Sequence, residues 1–146
     1  MIHLSTINEP NLTTFHRNHF ILSVTDLKDT SVFKDHDLNN ENHISIETCK
    51  RIFPEATKAT IANLILTTIQ IKIGQGQTNL LFVFNKENEA ESFDVVNGLT
   101  QIFNLKPSNS EQNTYFEFLK GYAGDWTQSL LIEEERFNKI GSIMLH

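Results

Sequence analysis

"IQIKIGQGQTNLLFVF", residues 69–84, is the stretch on which the prediction of the fold depends. Isoleucines at positions 69, 71 and 73 alternate with a glutamine and a lysine, and a period of two is typical of a strand with one buried face. Gly74–Gln77 has the composition of a tight turn, and Leu80–Phe84 is an apolar run that can pair with the first strand. The stretch therefore predicts a β-hairpin with strands near 68–73 and 79–84, and with Ile71 on the buried face.

The segments on either side of this hairpin predict one more strand and three to four helices. "NHFILSVT" (18–25) is β-branched and aromatic between polar flanks, as strands are. Helical periodicity begins at Pro54, recurs over 85–106 and 111–122, and resumes after Asp125, where a helix is preferred over a pair of strands. Because the strands do not alternate strictly with helices, we predict an antiparallel sheet in an α+β fold. The chain contains no repeat or linker, which predicts a single domain over 1–146.

The composition excludes several classes of protein. With 146 residues, of which 39% are hydrophobic, the chain can bury a core without covalent cross-links. Cys49 is the one cysteine, so an internal disulfide and a site built from several thiolates are both excluded. The first residues lack a basic start and a continuous apolar run, and no apolar segment approaches the roughly 20 residues of a membrane span. We therefore expect a cytoplasmic protein without a membrane partner.

The negative charge is concentrated in the second half of the chain. Residues 1–73 carry eight acids and seven bases, a net charge of −1, whereas residues 74–146 carry ten acids and five bases, a net charge of −5. Direct binding to nucleic acid requires clustered lysine and arginine, and the chain has no such cluster. The asymmetry favours a protein partner with a basic surface.

Two glutamate clusters and the sole tryptophan are the candidate partner-binding residues. The tryptophan is either part of the core or, if it is exposed beside the glutamates, an interface anchor. The set comprises Glu87, Glu89, Glu91, Asp94, Trp126, Glu133, Glu134 and Glu135.

"VFKDHDLNNENHISIETCKRIF" (32–53) resembles the calcium-binding loop of an EF-hand. In that numbering Asp37 takes the first position and Asn39, Glu41, His43 and Ser45 take the third, fifth, seventh and ninth. The chain departs from the pattern at the sixth position, where Asn42 replaces glycine, and at the twelfth, where Thr48 replaces the bidentate glutamate. The resemblance implies at most a degenerate calcium-responsive module, and a polar turn before a capped helix explains the same residues. We expect no tight calcium binding.

The candidate catalytic residues are dispersed. His16 and His19 are three residues apart at the start of a predicted strand, so they point to opposite faces and favour no metal site. Cys49 could act as a nucleophile with His36 or His43, but a helix would place it among apolar residues, as a small buried side chain. A small enzyme that uses some of His16, His19, Asp35 and His43 remains an alternative.

The sequence therefore predicts a non-enzymatic protein-binding domain without cofactor or metal. An acidic inhibitor of the immunity type, which would cover the cationic site of a bacterial toxin or nuclease, is analogous in size and charge. An adaptor or secretion chaperone fits the same properties.

Overall fold

The computed structural model describes residues 1–8, 19–28, 30, 33, 38–39 and 41–144, with side chains described as far as Lys139. These residues form a four-stranded sheet and five α-helices in an α+β arrangement. The strands are β1 (Ile2–Thr6), β2 (Phe20–Ser23), β3 (His43–Ser45) and β4 (Leu80–Phe84). The helices are α1 (Ile46–Ile52), α2 (Lys58–Gly74), α3 (Glu89–Phe103), α4 (Asn113–Leu119) and α5 (Asp125–Met144).

The sheet has the order β1-β4-β2-β3 and is parallel throughout, so the predicted antiparallel sheet is wrong. The central strand β4 is buried along its whole length. A strand covered on both faces carries a continuous apolar run, as Leu80–Phe84 does, whereas a strand with one solvated face alternates. The long connection from β3 to β4 through α1 and α2 is what allows these two strands to run in the same direction.

The predicted strand at 68–73 is wrong because these residues form the last turns of α2. Ile61, Ile65 and Ile69 recur every four residues and are at most 3% exposed, which is the helical period. Ile71 is 52% exposed and Ile73 is 38% exposed, so the alternating isoleucines do not share a buried face. The period of two within 69–73 is a local coincidence on a helix of seventeen residues.

The predicted hairpin turn is the C-terminal cap of α2. Gly76 has a φ of 93°, and its N–H donates to the carbonyl of Ile73 at 3.0 Å. The N–H of Gln77 donates to the carbonyl of Lys72 at 2.9 Å. These two bonds and the left-handed glycine form a Schellman motif, which ends a helix. The chain then enters β4 in an extended conformation instead of folding back on a partner strand.

The sheet separates two apolar layers. Alternate residues of β1, β2 and β4, such as Leu4, Leu22 and Phe82, pack against the helices in the larger core. The intervening residues Ile21, Leu81 and Val83 face a smaller cluster that includes Leu27, Phe33 and Leu38. Burial on both faces explains why the central strands carry so few polar side chains.

The helices after β4 agree with the sequence prediction, and the helix expected at Pro54 begins later. The periodicities over 85–106 and 111–122 correspond to α3 and α4, and the tail forms α5, the preferred alternative. The helix predicted from Pro54 begins at Lys58 instead, because the Thr57 hydroxyl accepts a hydrogen bond from the N–H of Thr60 at 3.3 Å and caps α2 there.

Two strands, β1 and β3, were not predicted, and they form the two edges of the sheet. The Gln112 side chain accepts from the N–H of Leu4 at 2.6 Å and donates to its carbonyl at 3.1 Å, so it satisfies backbone groups at the β1 edge. At the other edge, no strand among the described residues pairs with the outer side of β3. His43 and Ile44 of this edge strand also line a cavity between α1 and α2, which is described below.

Candidate functional site

A buried carboxylate joins the first half of α3 to the beginning of α5. Asp94 is 9% exposed, and its Oδ1 accepts hydrogen bonds from the N–H groups of Gly124 at 2.7 Å and Thr127 at 2.9 Å. Its Oδ2 accepts from the N–H of Trp126 at 2.9 Å. The first N–H groups of a helix have no partner within the helix. Asp94 therefore caps α5 from a neighbouring helix, and its predicted place in a partner-binding surface is occupied by internal contacts.

Trp126 lies in the core, which is the first of the two alternatives considered for it. Its side chain is 3% exposed, and its indole Nε1 donates to Glu91 Oε1 at 3.0 Å. The ammonium group of Lys58 lies 4.9 Å from the ring centroid, a cation–π contact between α2 and α5. The tryptophan thus links three helices and presents little surface to a partner.

The contact between Trp126 and Glu91 brings the start of α3 close to the start of α5. We call the four carboxylates carried by these two helix starts the acidic corner: Glu87, Glu89, Glu91 and Asp125. The Asp125 side chain is 85% exposed, and its Oδ2 lies 3.9 Å from Lys58 Nζ. Glu87 is exposed, and Glu89 and Glu91 are half-buried. Across the part of the chain that the structure describes, no base forms an ion pair with the three glutamates. Two helices begin here, and the positive ends of their dipoles favour carboxylates.

The second predicted cluster is not a single solvated face. Glu133 is 4% exposed, its Oε2 accepts from Asn63 Nδ2 at 3.4 Å, and its Oε1 lies 3.4 Å from Arg136 Nη1. Glu134 is half-buried and Glu135 is exposed. At 1.5 Å per residue, Glu135 lies about 15 Å along α5 from the acidic corner. The partner-binding role of the predicted set stays a prediction, and the acidic corner and Glu135 are its accessible parts.

Ser23 and His43, on adjacent strands, are spaced like a catalytic nucleophile and its base, but their hydrogen bonds do not allow that chemistry. His43 Nε2 lies 2.9 Å from Ser23 Oγ, and the Ser23 hydroxyl donates to the carbonyl of Thr25 at 2.5 Å. The hydroxyl has one proton, so Ser23 Oγ accepts from Nε2–H and the histidine cannot remove a proton from it. Both side chains are buried, and burial lowers the pKa of His43 to about 4. The pair is a neutral structural contact between β2 and β3.

Three residues of the dispersed-enzyme hypotheses, His16, Asp35 and His36, lie outside the described residues. Cys49 is 6% exposed, and burial raises the pKa of its thiol, so it is a protonated, apolar side chain on α1. Within the described residues, no group of three or more His, Cys, Asp or Glu side chains is placed to hold a metal ion.

The loop that resembles an EF-hand is only partly described, because Asp37 lies outside the described residues. The Asn39 side chain accepts from the N–H of Glu41 at 2.8 Å, and the Asn42 side chain accepts from the N–H of Asn39 at 2.8 Å. Asn42 does not have the positive φ that the sixth position of an EF-hand requires. Ser45 caps α1 by accepting from the N–H of Thr48 at 3.0 Å. These oxygens stabilise a turn and a helix start, and the absence of tight calcium binding stays a prediction.

A cavity of about 180 Å³ opens beside the edge strand β3, between α1 and α2. Ile44 of β3, Cys49 and Ile52 of α1, and Leu64 and Thr68 of α2 form its walls. The walls are mostly apolar, and Ile52 is 56% exposed at the surface.

A second, more open depression of about 440 Å³ adjoins this cavity. Ile52 and Phe53 line both, and Phe53 is 50% exposed, so the two openings share a wall. Pro54 and Glu55 line the far side of the depression. We call the cavity and the depression together the α1–α2 groove.

The sequence prediction missed the α1–α2 groove. The available signal was the apolar pair Ile52–Phe53 immediately before Pro54, because a proline there ends a short helix and leaves the pair at its exposed end. The sequence prediction used Pro54 as the first turn of a longer helix and not as the end of a short one, so it did not use that signal.

Among the described residues, no helix has both the length and the apolar character needed to cross a bilayer. Comparison of the chain with protein-family models, with curated proteins and with solved structures found no match in any of the three. The fold and the surfaces of this chain are therefore the observations on which a functional proposal rests.

Proposed function

We propose that this chain is a non-enzymatic protein-binding domain whose acidic corner engages a basic surface on a partner protein. The observation that supports this proposal is the accessible charge at the corner. Four carboxylates lie at the starts of α3 and α5. The one ion pair that the described residues form there is the 3.9 Å contact between Lys58 and Asp125. A patch of one sign steers an oppositely charged partner during diffusional encounter.

The chemistry of the described residues favours binding over catalysis. The Ser23–His43 pair has the wrong proton arrangement for nucleophilic attack, and Cys49 is a protonated thiol. An acid–base enzyme needs carboxyl or imidazole groups whose pKa values lie near the working pH and which reach a substrate. His43 lines the cavity between α1 and α2, but burial lowers its pKa to about 4, so it does not meet the first requirement.

The partner class that fits this surface is a protein with a cationic site, such as a toxin or nuclease. Such sites contain clustered lysine and arginine because they bind phosphate groups. An acidic domain that covers the site acts as an inhibitor of the immunity type. An adaptor would use the same corner to recognise a basic surface that has no activity.

The test is a charge reversal with a matched control. The E87K/E89K variant changes the net charge by +4 at the acidic corner, and the E111K/E117K variant makes the same change at exposed positions beside and within α4. We expect E87K/E89K to slow association with a partner captured by the wild-type chain by roughly tenfold at about 0.1 M salt, where the Debye length is about 10 Å. Surface plasmon resonance at two salt concentrations measures this rate.

Equal slowing by both variants would mean that total charge, and not the acidic corner, controls association. Association that does not change with salt or with either variant would refute the proposal. A triple reversal of the glutamates at 133–135 is less suitable, because Glu133 is buried and its substitution would also disturb folding.

A further inference from the structure

The cavity of the α1–α2 groove is large enough for a ring-sized apolar group. Its volume is about 180 Å³, and its walls include Ile44, Ile52 and Leu64. A buried cavity of about 150 Å³ with leucine, isoleucine and phenylalanine walls stays dry and binds benzene. A bulky apolar side chain placed in the cavity would therefore be transferred from water to a site of matching size.

The polar groups of the cavity wall carry no charge near neutral pH. His43 is neutral because burial lowers its pKa to about 4, and Cys49 is a thiol because burial raises its pKa. The Thr68 hydroxyl donates to the carbonyl of Leu64 at 2.7 Å, within its own helix. A charged group would lose its hydration in this cavity without gaining a partner, so the site selects a neutral occupant.

The surface around the cavity indicates that the occupant belongs to a protein. Ile52 and Phe53 are 56% and 50% exposed beside the opening, and Ile71 lies one turn beyond Thr68 on α2 and is 52% exposed. A free molecule that fills the cavity would leave these three side chains in water. A protein segment that inserts one side chain and covers the rim would bury them, which is the arrangement of an interface anchor surrounded by contacts that exclude water.

The charge of the adjoining depression favours a basic residue next to the apolar side chain of the occupant. Glu55 is exposed and lines the depression. Of the three bases nearby in the chain, Arg51 Nη2 lies 2.7 Å from Asp26 Oδ2, and Lys58 contacts Asp125 and the ring of Trp126. The third, Lys50, is exposed on α1 and does not line the depression. A basic residue on the occupant complements Glu55.

We infer that the cavity receives a bulky apolar side chain of a partner protein, with a basic residue beside it at Glu55. The assignment of the occupant to a protein partner rests on the proposed function, whereas the preference of the cavity for a neutral apolar group does not. Lys58, which contacts both Asp125 and Trp126, connects the beginning of α2 to the acidic corner, so one basic partner can meet both surfaces.

The test uses capped tripeptides and methyl NMR of the intact chain. Labelled isoleucine and leucine methyl groups report on Ile44, Ile52 and Leu64 during titration with Phe-Lys-Lys, Ala-Lys-Lys or Phe-Glu-Glu. We expect Phe-Lys-Lys to shift these methyl signals and to bind about tenfold more tightly than Ala-Lys-Lys, because burying an aromatic ring contributes at least that factor. Phe-Glu-Glu should bind more weakly than Phe-Lys-Lys, and Glu55→Gln should reduce that difference.

Two variants and one control locate the site. Thr68→Leu fills the cavity from a helical position that accepts leucine well, and it should abolish the methyl shifts. Ile52→Ala should weaken Phe-Lys-Lys by at least about threefold, whereas Ile132→Ala on α5 removes an isoleucine that is equally exposed, at 56%, and should change nothing.

Three outcomes would overturn the inference. The first is the absence of methyl shifts at the cavity, and the second is equal weakening by Ile52→Ala and Ile132→Ala. The third is binding of free indole as tight as that of Phe-Lys-Lys, which would identify a small-molecule site. None of these outcomes decides the acidic-corner proposal, which the rates of E87K/E89K test separately.

Discussion

At the scale of single residues, the largest effects on stability are expected where one buried polar group satisfies several others. Asp94 accepts from the N–H groups of Gly124, Trp126 and Thr127 and from the Thr127 hydroxyl at 2.7 Å. Asp94→Ala leaves the three N–H groups without this acceptor, whereas the Thr127 hydroxyl keeps the backbone carbonyl of residue 94 at 2.8 Å. We expect a loss of about 2–4 kcal/mol in the free energy of unfolding. Urea unfolding measures this loss.

Asp125→Asn is the matched control, because this side chain is 85% exposed and belongs to the same helix start. It should change the free energy of unfolding by less than about 0.5 kcal/mol. Equal effects of the two substitutions would show that the carboxylate of Asp94 does not cap α5.

His43 makes the stability depend on pH in a defined window. Burial lowers its pKa from its ordinary value of 6.5 to about 4, so the unfolded chain takes up a proton at a higher pH than the folded one does. Stability is therefore unaffected above about pH 6.5 and decreases as the pH falls, by about 2 kcal/mol at pH 5 and about 3 kcal/mol at pH 4.

The measurement is the free energy of unfolding as a function of pH, for the wild type and for His43→Gln. Subtracting the free energy of unfolding of His43→Gln from that of the wild type removes the contribution of the other histidines. This difference in free energy should shrink as the pH falls from 6.5 to 4. Desolvation raises the pKa of Asp26, but hydrogen bonds from the Lys28 backbone and from Arg51 outweigh it and hold the pKa below its ordinary value of 3.8. The stability that Asp26 contributes is therefore lost only below about pH 3.8 and does not affect this window. A difference that stays constant with pH would contradict the burial of a neutral His43.

At the scale of elements, the correction of the hairpin leads to a paired prediction on α2. Ile69 is fully buried and Ile71 is 52% exposed. Ile69→Ala should therefore cost about 2–5 kcal/mol in urea unfolding, whereas Ile71→Ala should cost less than about 1 kcal/mol. In a hairpin the two isoleucines would share one face and lose similar amounts, so similar losses would support the strand and not the helix.

The sequence predicted those elements whose pattern is long and local. The helical period is sustained over 85–106 and 111–122, and α3 and α4 lie there. The prediction failed between Ile69 and Gly76, because five residues of alternating pattern cannot outweigh a helix that extends from upstream, and because a glycine ends helices as well as making hairpin turns. β1 alternates Ile2 and Leu4 with His3 and Ser5 over only five residues, and β3 has three, so neither pattern was long enough to be recognised as a strand.

Long-range contacts account for the remaining failures. The parallel direction of the sheet follows from which strands meet in space, and only the continuous apolar run Leu80–Phe84 carried a signal of it. The cap between Asp94 and α5 joins residues about thirty positions apart, so the sequence prediction placed Asp94 among the partner-binding residues. The acidic corner was predicted in part, through Glu87, Glu89 and Glu91, because charge near a helix start is a local feature.

At the scale of the whole molecule, the acidic corner and the α1–α2 groove should govern different steps of partner binding. Charges act at a distance before contact, whereas an apolar side chain acts only after it has entered its cavity. E87K/E89K should therefore lower the association rate and reduce its salt dependence. Ile52→Ala should raise the dissociation rate about threefold or more and leave the salt dependence unchanged.

A variant that combines E87K/E89K with Ile52→Ala tests this division most directly, because two surfaces that act on separate steps should contribute independently to the binding free energy. The free-energy effects of E87K/E89K and Ile52→Ala should add within about 0.5 kcal/mol when all three variants are measured by surface plasmon resonance against the same partner. The Trp126→Ala variant should behave differently from both, because this side chain is 3% exposed and lies in the core. Its loss should lower the melting temperature and leave the association and dissociation rates of the folded protein nearly unchanged. An association rate that responds to Ile52→Ala as strongly as to E87K/E89K would mean that the groove takes part in the encounter itself, and the division between steering and anchoring would then be wrong.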